Sequence, residues 1–461
     1  MEKPKTISEQ MAEFTLGLTY KDIPKDVIDH GKLLLTDTFG VAMACQDLEH
    51  AKAVKKTVLE MNSQKVCSLW GTDEKAMLAD AILYNSCLIH GMDYDDTHVG
   101  SIIHPSAAVV STAFTVGEMV GATGKQMLEA IVAGWEIIVR LGLAAKGRFH
   151  DVGYHGTGIA SPFAAACVAA KLMGDTKETL VNAVGICGSQ SAAIQEFLHD
   201  GTWTKKIHPG WAAHSAVYAL SLARNGYTGP AKVFEGGFGM WMTHCGGIDG
   251  LEEEFADLGI KWHTPEITVK LYPVCHMTHS TIDCMISLME ENGFSAEDID
   301  HAECRIASRY YAIVCSPREV KVRPDTDFIM RFSLPYVVAM AAIKHRVSPW
   351  EIDLKYARDP KVCGLMDRIF CVEDDSKDNP GYFPGYLTVV LKDGRTFVKD
   401  QRYEMGTRQN PLNLEAVNRK LLDNLSPYYG EERIRQITGL LEQMEQLPDA
   451  DTLIQVLKRD K

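Results

Sequence analysis

Three histidines and three carboxylates lie within fifteen residues of this sequence. The run comprises His90, Asp93, Asp95, Asp96, Thr97, His98 and His104. Apolar segments flank it, so we predict a loop between two helices, which can direct several side chains into one cavity. Pro105 is typical of a first helical turn and places His104 near a helix N-terminus. The dipole there disfavours imidazolium, so His104 is a candidate neutral base.

The same residue types could also hold a metal ion, since histidine with aspartate is a common ligand set for zinc, manganese or iron. The run has neither His-x-x-x-His nor His-Glu-x-x-His spacing, and no cysteine joins it. A capped helix beside a solvated acidic loop is the purely structural alternative. The density of ionisable groups favours a functional site, and we predict that it contains no metal.

Three further polar segments carry candidate residues. Residues 153–158 form a glycine-rich turn around His155, but they lack the Gly-x-x-x-x-Gly-Lys pattern of a phosphate loop. Residues 202–213 contain Lys205 and His208 and are predicted as a loop that leads into a helix. Residues 270–279 contain Lys270 and Cys275, after a short predicted strand. Lysines near helix starts suit a di- or tricarboxylate, because ammonium groups and backbone N–H donors stabilise anions. Solvated surface lysines are the alternative.

The elements that must position these residues are mostly helical. Apolar spacing predicts helices at 26–44, 80–89, 104–119, 127–142, 161–174, 176–190 and 212–225. Later segments predict strands at 267–271, 302–307, 386–391 and 396–399, a hairpin turn at 392–395, and helices at 279–293, 333–344, 414–425 and 431–445. We therefore predict a mainly α protein. A large all-helical domain (1–265 and 401–461) carries a smaller inserted α+β lid domain (266–400).

Composition restricts the class of protein. The 461 residues are 46% hydrophobic and carry a net charge of −14, which argues against a nucleic-acid partner. No stretch approaches the roughly 18 consecutive apolar residues of a membrane span. The N-terminus lacks the apolar core of a secretion signal. Twelve cysteines without a Cys-x-x-Cys pair are typical of a reducing compartment. We expect a cytoplasmic protein that has no membrane partner.

The order of motifs resembles the MmgE/PrpD family, which includes 2-methylcitrate dehydratase, cis-aconitate decarboxylase and iminodisuccinate epimerase. The resemblance covers nearly the whole chain and is carried by Leu35–Ala42, Leu69–Thr72, His90–Thr97, His104–Ser106, His155–Thr157, Lys205 with His208 and Gly210, Gly226–Pro230, Lys270 with Tyr272, Pro273 and Cys275, Phe332–Tyr336 and Asn410–Leu412. It implies a helical domain with an α+β lid, a homodimer, and catalysis without metal or organic cofactor. It also implies that Asp93, Thr97, His104, His155, Lys205 and Lys270 occupy pocket positions, flanked by His208 and Cys275.

The resemblance suggests a reaction next to a carboxylate. Lys205 and Lys270 are expected to bind substrate carboxylates, and His104 or His155 to abstract a carbon-bound proton while the other assists departure of hydroxide. Asp93 is expected to orient a histidine or a substrate hydroxyl. Cysteine at position 275, where the decarboxylases place a histidine, favours dehydration of a 2-methylcitrate-like acid. The alternatives are decarboxylation of a cis-aconitate-like acid, epimerisation of an iminodisuccinate-like acid, and a non-catalytic carboxylate-binding protein.

Overall fold

The chain folds into two units that interrupt each other in sequence. The structure is a computed structural model that describes residues 4–61, 64–247, 249–379 and 381–459. The first unit comprises Met1–Gly91, Asp95–Val269 and Asn413–Lys461, and the second comprises Met92–Tyr94 and Lys270–Leu412. The borders thus lie at 269/270 and 412/413, where the sequence predicted 265/266 and 400/401. The chain beyond residue 401 remains tied to the second unit, because the Phe383 N–H donates to the Glu404 carboxylate at 3.1 Å.

Helices form nearly all of the first unit. Their bounds are Ile7–Gly17, Lys25–Cys45, Glu49–Met61, Leu78–His90, Ser106–Val120, Gly124–Ala145, Arg148–Asp151, Gly156–Met173, Lys177–Cys187, Phe197–Asp200, Thr204–Arg224, Met240–Cys245, Leu251–Phe255, Leu414–Leu425, Glu431–Glu442 and Asp451–Val456. Two short antiparallel strands, Cys67–Ser68 and Lys75–Ala76, complete it. Of the residues that the structure describes, 59% are helical and 9% lie in strands, which confirms the mainly α class.

Small residues allow the central helices of this unit to pack closely. Gly134 lies on the helix Gly124–Ala145, and a Cβ added there would come within 2.6 Å of the Val168 side chain. Close packing of this kind explains why several of these helices are apolar on more than one face. A buried carboxylate, Glu136 on the same helix, accepts hydrogen bonds from the N–H groups of His263 and Thr264 at 2.8–3.1 Å.

One helix contradicts the expectation that no segment approaches a membrane span. Gly156–Met173 is 18 residues long and apolar enough to cross a membrane by length and composition, and 83% of it is buried inside the unit. Alanine and larger apolar residues give it this composition, and mostly buried core helices of soluble proteins have the same character.

Two helices begin earlier than the sequence predicted. The helix expected from residue 212 begins at Thr204, and the helix expected from residue 161 begins at Gly156. Pro209 therefore lies inside a helix, where it removes one backbone hydrogen bond. The helix packs against Leu78–His90, and a Cβ at Gly210 would lie 2.8 Å from the Leu83 carbonyl oxygen. Tertiary packing thus overrides the Pro-Gly loop signal.

The second unit joins a four-stranded sheet to short helices. The helices are His279–Asn292, Ser308–Val314, Arg318–Lys321, Asp327–Arg331, Leu334–Lys344, Leu354–Ala357 and Pro360–Met366. The strands follow the order Ile369–Glu373, Ile299–Ile306, Gly385–Leu391 and Thr396–Gln401, with the first pair parallel and the others antiparallel. The predicted hairpin turn at 392–395 is confirmed, with Gly394 at φ +89°.

Two strand predictions differ from the structure. Strand Ile369–Glu373 was not predicted, because its only buried residue is Ile369 and it shows no apolar alternation. The strand predicted at 267–271 does not form. Instead Thr268 makes a single bridge with Thr97, through N–H to carbonyl bonds of 2.8 and 2.9 Å within the first unit.

Candidate active site

The candidate site in the first unit is built around a buried carboxylate between two histidines. His90 is the last residue of the helix Leu78–His90, and its Nδ1 lies 2.7 Å from Asp95 Oδ2. His104 Nδ1 lies 3.4 Å from the other oxygen of the same carboxylate. Asp95 is fully buried, and the His90 and His104 rings lie 4.8 Å apart. The predicted loop therefore does bring its ionisable groups together.

The neighbouring carboxylates Asp95 and Asp96 have opposite pKa shifts. Burial alone would raise the pKa of Asp95, but the charges of His90 and His104 and their hydrogen bonds hold it below its usual range. Burial raises the pKa of Asp96 to about 8, against the lowering effect of its Ser106 hydrogen bonds. Near neutral pH Asp95 is thus an anion and Asp96 is mainly a neutral acid. A sequence cannot show this difference, since both residues have the same type and nearly the same position.

Hydrogen bonds select one tautomer of His104. Its Nδ1 lies 3.0 Å from the Asp96 carbonyl oxygen, which can only accept, so Nδ1 carries the proton and Nε2 holds the lone pair. The His104 backbone N–H donates to Thr157 Oγ1 at 3.1 Å, and Thr97 Oγ1 lies 3.4 Å from Nδ1. Burial lowers the pKa of His104 to about 4, although Asp95 opposes this shift. His104 is therefore a neutral imidazole able to accept a proton.

A second pair of histidines adjoins the first. His155 stacks on His90 with ring centroids 5.6 Å apart, and its Nδ1 lies 3.1 Å from His208 Nδ1. His155 directly precedes the helix Gly156–Met173, where the helix dipole disfavours a positive charge. Burial, followed by the nearby charge of Lys205, lowers the pKa of His155 well below its usual value. Burial lowers the pKa of His208 to about 4.

Lys205 and His208 share one helical face rather than a loop. Both lie on the helix Thr204–Arg224, three residues apart, so their side chains project from neighbouring positions. Burial is the main cause of the low pKa values of His104, His155 and His208. The positive charge of Lys205 lowers each of these pKa values further. A cation beside neutral imidazoles can stabilise an anion that forms when a carbon acid loses its proton.

The other three predicted residues lie in the second unit. Asp93 adopts a left-handed conformation with φ +53°, and Lys270 Nζ donates to its carbonyl oxygen at 2.8 Å and lies 3.1 Å from its Oδ1. Lys270 is 1% exposed, so Asp93 already supplies a counter-charge for this ammonium. The sequence predicted that Asp93 orients a histidine or a substrate hydroxyl, and this role stays a prediction. Cys275 is buried in the same unit, and its N–H donates to the Arg331 carbonyl oxygen at 2.9 Å.

Among the described residues of the first unit, two groups contain residue types that could hold a divalent cation. They are His90 with Asp95 and His104, and His98 with His263 and Glu266, and within each group the ligand atoms lie within 4.8 Å of one another. In the second group the Ser101 N–H donates to His98 Nδ1 at 3.1 Å, so Nε2 carries the proton and faces Glu266 at 3.4 Å. A cation there would require His98 to move that proton. Hydrogen bonding alone accounts for this group.

His90 and Asp95 are the site residues that the sequence did not single out. Both belonged to the predicted polar run, but no spacing rule distinguished them from Asp96 or His98. His90 Nε2 is buried and has no hydrogen-bond partner among the residues that the structure describes. The available signal was the change from an apolar helix to His90 at its last position, five residues before Asp95.

The family comparison agrees with this arrangement along the chain. The N-terminal domain of MmgE/PrpD proteins matches residues 9–250, and the C-terminal domain matches residues 272–445. The chain belongs to the MmgE/PrpD family. This confirms the resemblance that the motifs indicated, and the second match corresponds closely to the second unit and the helices that follow it.

Curated relatives of this MmgE/PrpD protein include two kinds of enzyme. It is 23% identical to a cis-aconitate decarboxylase of Aspergillus terreus, over 98% of this chain and 96% of the relative. Identity to the cis-aconitate decarboxylase of Homo sapiens is 25%, over 98% and 95%. Identity to the 2-methylcitrate dehydratase of Escherichia coli (strain K12) is 22%, over 94% and 93%. These relatives support an enzyme of this family, and both named activities use a small carboxylic acid.

Proposed function

We propose that the chain is a lyase that removes water from a small hydroxylated polycarboxylate resembling 2-methylcitrate. The observation that carries the proposal is the pair His104 and His155, two buried imidazoles with lowered pKa values whose rings lie 6.3 Å apart. One neutral imidazole can take a proton from carbon, and the other can assist the departure of hydroxide by donating an N–H hydrogen bond to it.

His104 is the better candidate for the base. Its Nδ1 proton is directed to the Asp96 carbonyl oxygen, which leaves the Nε2 lone pair as the proton acceptor. When Nε2 takes the proton, the imidazolium forms beside the Asp95 carboxylate, whose negative charge stabilises it. Lys205 then stabilises the negative charge that develops on the substrate carboxylate next to the reacting carbon. By family resemblance, Asp93, Thr97, His208, Lys270 and Cys275 are proposed to bind or orient the substrate.

Decarboxylation of a cis-aconitate-like acid is the second candidate. It is favoured by the similarity to cis-aconitate decarboxylases, which extends over 98% of the chain. The cysteine at position 275, where we align a histidine of those enzymes, argues for dehydration instead. Dehydration needs a group that takes a proton from carbon, and decarboxylation needs a group that delivers a proton to carbon. A histidine can serve in either direction, so the histidine cluster does not separate the two reactions.

The test is to incubate the purified protein with hydroxylated and unsaturated di- and tricarboxylates in deuterated water and to follow the products by proton NMR. Dehydration yields an alkene without loss of carbon, decarboxylation yields carbon dioxide, and epimerisation yields exchange with inversion. Binding without any of these changes would identify a carboxylate-binding protein and refute the proposal. His104→Gln and His155→Gln should each abolish turnover while binding persists. Full turnover in both variants would show that these histidines do not carry the reaction.

We also propose a cytoplasmic homodimer that needs no cofactor, as the family resemblance implies. Light scattering coupled to size-exclusion chromatography should then give twice the chain mass of 51.1 kDa. A single-chain mass at micromolar concentration would contradict the dimer.

A further inference from the structure

Lys321 is a buried lysine of the second unit. It ends the short helix Arg318–Lys321 and is 8% exposed. Its Nζ donates to the Ile313 carbonyl oxygen at 2.7 Å. Within the described part of the chain, no carboxylate lies within 4.0 Å of this ammonium. One of its three N–H donors is therefore used, and its charge is not balanced by an acid.

Two other buried lysines differ in this respect. Lys270 has the Asp93 carboxylate at 3.1 Å, and Lys420 has Asp37 at 2.5 Å. Burying an ammonium without a counter-charge is energetically unfavourable. Burial accordingly lowers the pKa of Lys321. An anionic ligand can supply the missing charge, and this makes Lys321 a candidate binding residue.

The surroundings of Lys321 connect it to a predicted binding residue. Cys275 is close enough for its thiol to influence the Lys321 ammonium electrostatically. The Cys275 N–H donates to the Arg331 carbonyl oxygen, and Ser333 Oγ donates to the Lys321 carbonyl oxygen at 2.6 Å. The turn that carries Cys275 and the segments that carry Lys321 and Arg331 are thus held together in one part of the second unit.

We propose that Lys321 binds a carboxylate of the substrate and selects a tricarboxylate over a dicarboxylate. Family resemblance assigns a substrate carboxylate to Lys270, and Lys321 adds a further cation in the same unit, which suits a further carboxylate. The inference rests on the proposed function for the class of substrate. It requires no turnover, because it concerns binding alone.

The experiment compares two non-reacting ligands by isothermal titration calorimetry on the full chain. Tricarballylate has three carboxylates, and glutarate has the same five-carbon chain without the central one. Loss of a hydrogen bond to a charged group predicts that Lys321→Met weakens tricarballylate binding about 10- to 100-fold. The affinity for glutarate should change less than about threefold in the same variant.

Two control variants separate binding from structure. Lys321→Arg keeps the charge and should retain most of the preference for tricarballylate. Lys344→Met removes an exposed lysine from the same unit and should change neither affinity. Thermal unfolding shows whether each variant is folded.

Several outcomes would overturn the inference. Equal weakening of both ligands would indicate that Lys321 only supports the end of the helix at Ile313. Unchanged tricarballylate binding, or wild-type protein that binds neither ligand or prefers glutarate, would also reject it. Failure of the proposed function looks different, because tricarballylate would still bind selectively while no substrate turned over.

Discussion

Replacing Asp95 by asparagine tests the central electrostatic argument for the site. The amide keeps the size of the side chain but removes the charge beside His104, and its NH₂ group cannot accept a hydrogen bond from an imidazole N–H. At an effective dielectric constant of about 20, unit charges about 4 Å apart interact by about 4 kcal/mol. Asp95 Oδ1 lies 3.4 Å from His104 Nδ1, so Asp95→Asn should destabilise the imidazolium formed during turnover by about 3–4 kcal/mol.

This cost corresponds to a loss of about 10²- to 10³-fold in kcat. The loss should not be larger, because the Asp96 carbonyl oxygen at 3.0 Å still holds the His104 tautomer. KM should change little, since the charge on His104 appears only in the transition state. Steady-state kinetics of the NMR-identified reaction at pH 7 would measure both constants.

Asp96→Asn is the matched control, because it changes the adjacent carboxylate in the same way. Asp96 is mainly protonated at pH 7, given its pKa of about 8, so the neutral amide resembles the native side chain. We expect kcat to fall less than about fivefold, or about 1 kcal/mol. Equal losses in Asp95→Asn and Asp96→Asn, or an Asp95→Asn protein that retains half its activity, would refute the reasoning.

Other predictions concern pH, metal and stability. The kcat/KM should be constant from pH 5 to 7 and fall tenfold per pH unit below about 4, where His104 becomes protonated; a plateau down to pH 3 would contradict this. The folded pKa of Asp96 exceeds its unfolded value, so the unfolding free energy should decrease as pH rises from about 4 to about 8, and urea titrations of Asp96→Asn should show a flatter profile. Dialysis against a chelator should leave turnover unchanged, whereas loss that zinc restores would identify a metal site. Glu136→Gln should lower the unfolding free energy by about 2–4 kcal/mol, because it weakens charge-assisted bonds to His263 and Thr264; a loss under about 0.5 kcal/mol would contradict that role.

The long helices were predictable because their apolar spacing agrees with their packing. The helix Leu414–Leu425 has the predicted bounds, and Lys25–Cys45 extends the prediction by one residue at each end. The start of Thr204–Arg224 was not predictable from local signals. Pro209 and Gly210 normally indicate a loop, and only the neighbouring helix Leu78–His90 explains why the backbone stays helical there.

The residue types of the site were predictable, but their pairing was not. The polar run identified His104, and the glycine-rich segment identified His155. Which carboxylate is charged depends on burial and on which side chains the fold places beside it, as Asp95 and Asp96 show. The sequence indicated Lys270 as a candidate binding residue, but its salt bridge to Asp93 joins residues 177 positions apart. No local pattern contains that information.

The placement of Met92–Tyr94 in the second unit limits how this protein can be recombined. The chain passes between the units at 91/92, 94/95, 269/270 and 412/413. A chimera that exchanged only residues 270–412 with a relative would import its Lys270 equivalent and leave Asp93 behind. The two residues of this salt bridge would then come from different proteins. A successful domain exchange should therefore also replace Met92–Tyr94. The segments 92–94 and 270–412 are expected to have been inherited together.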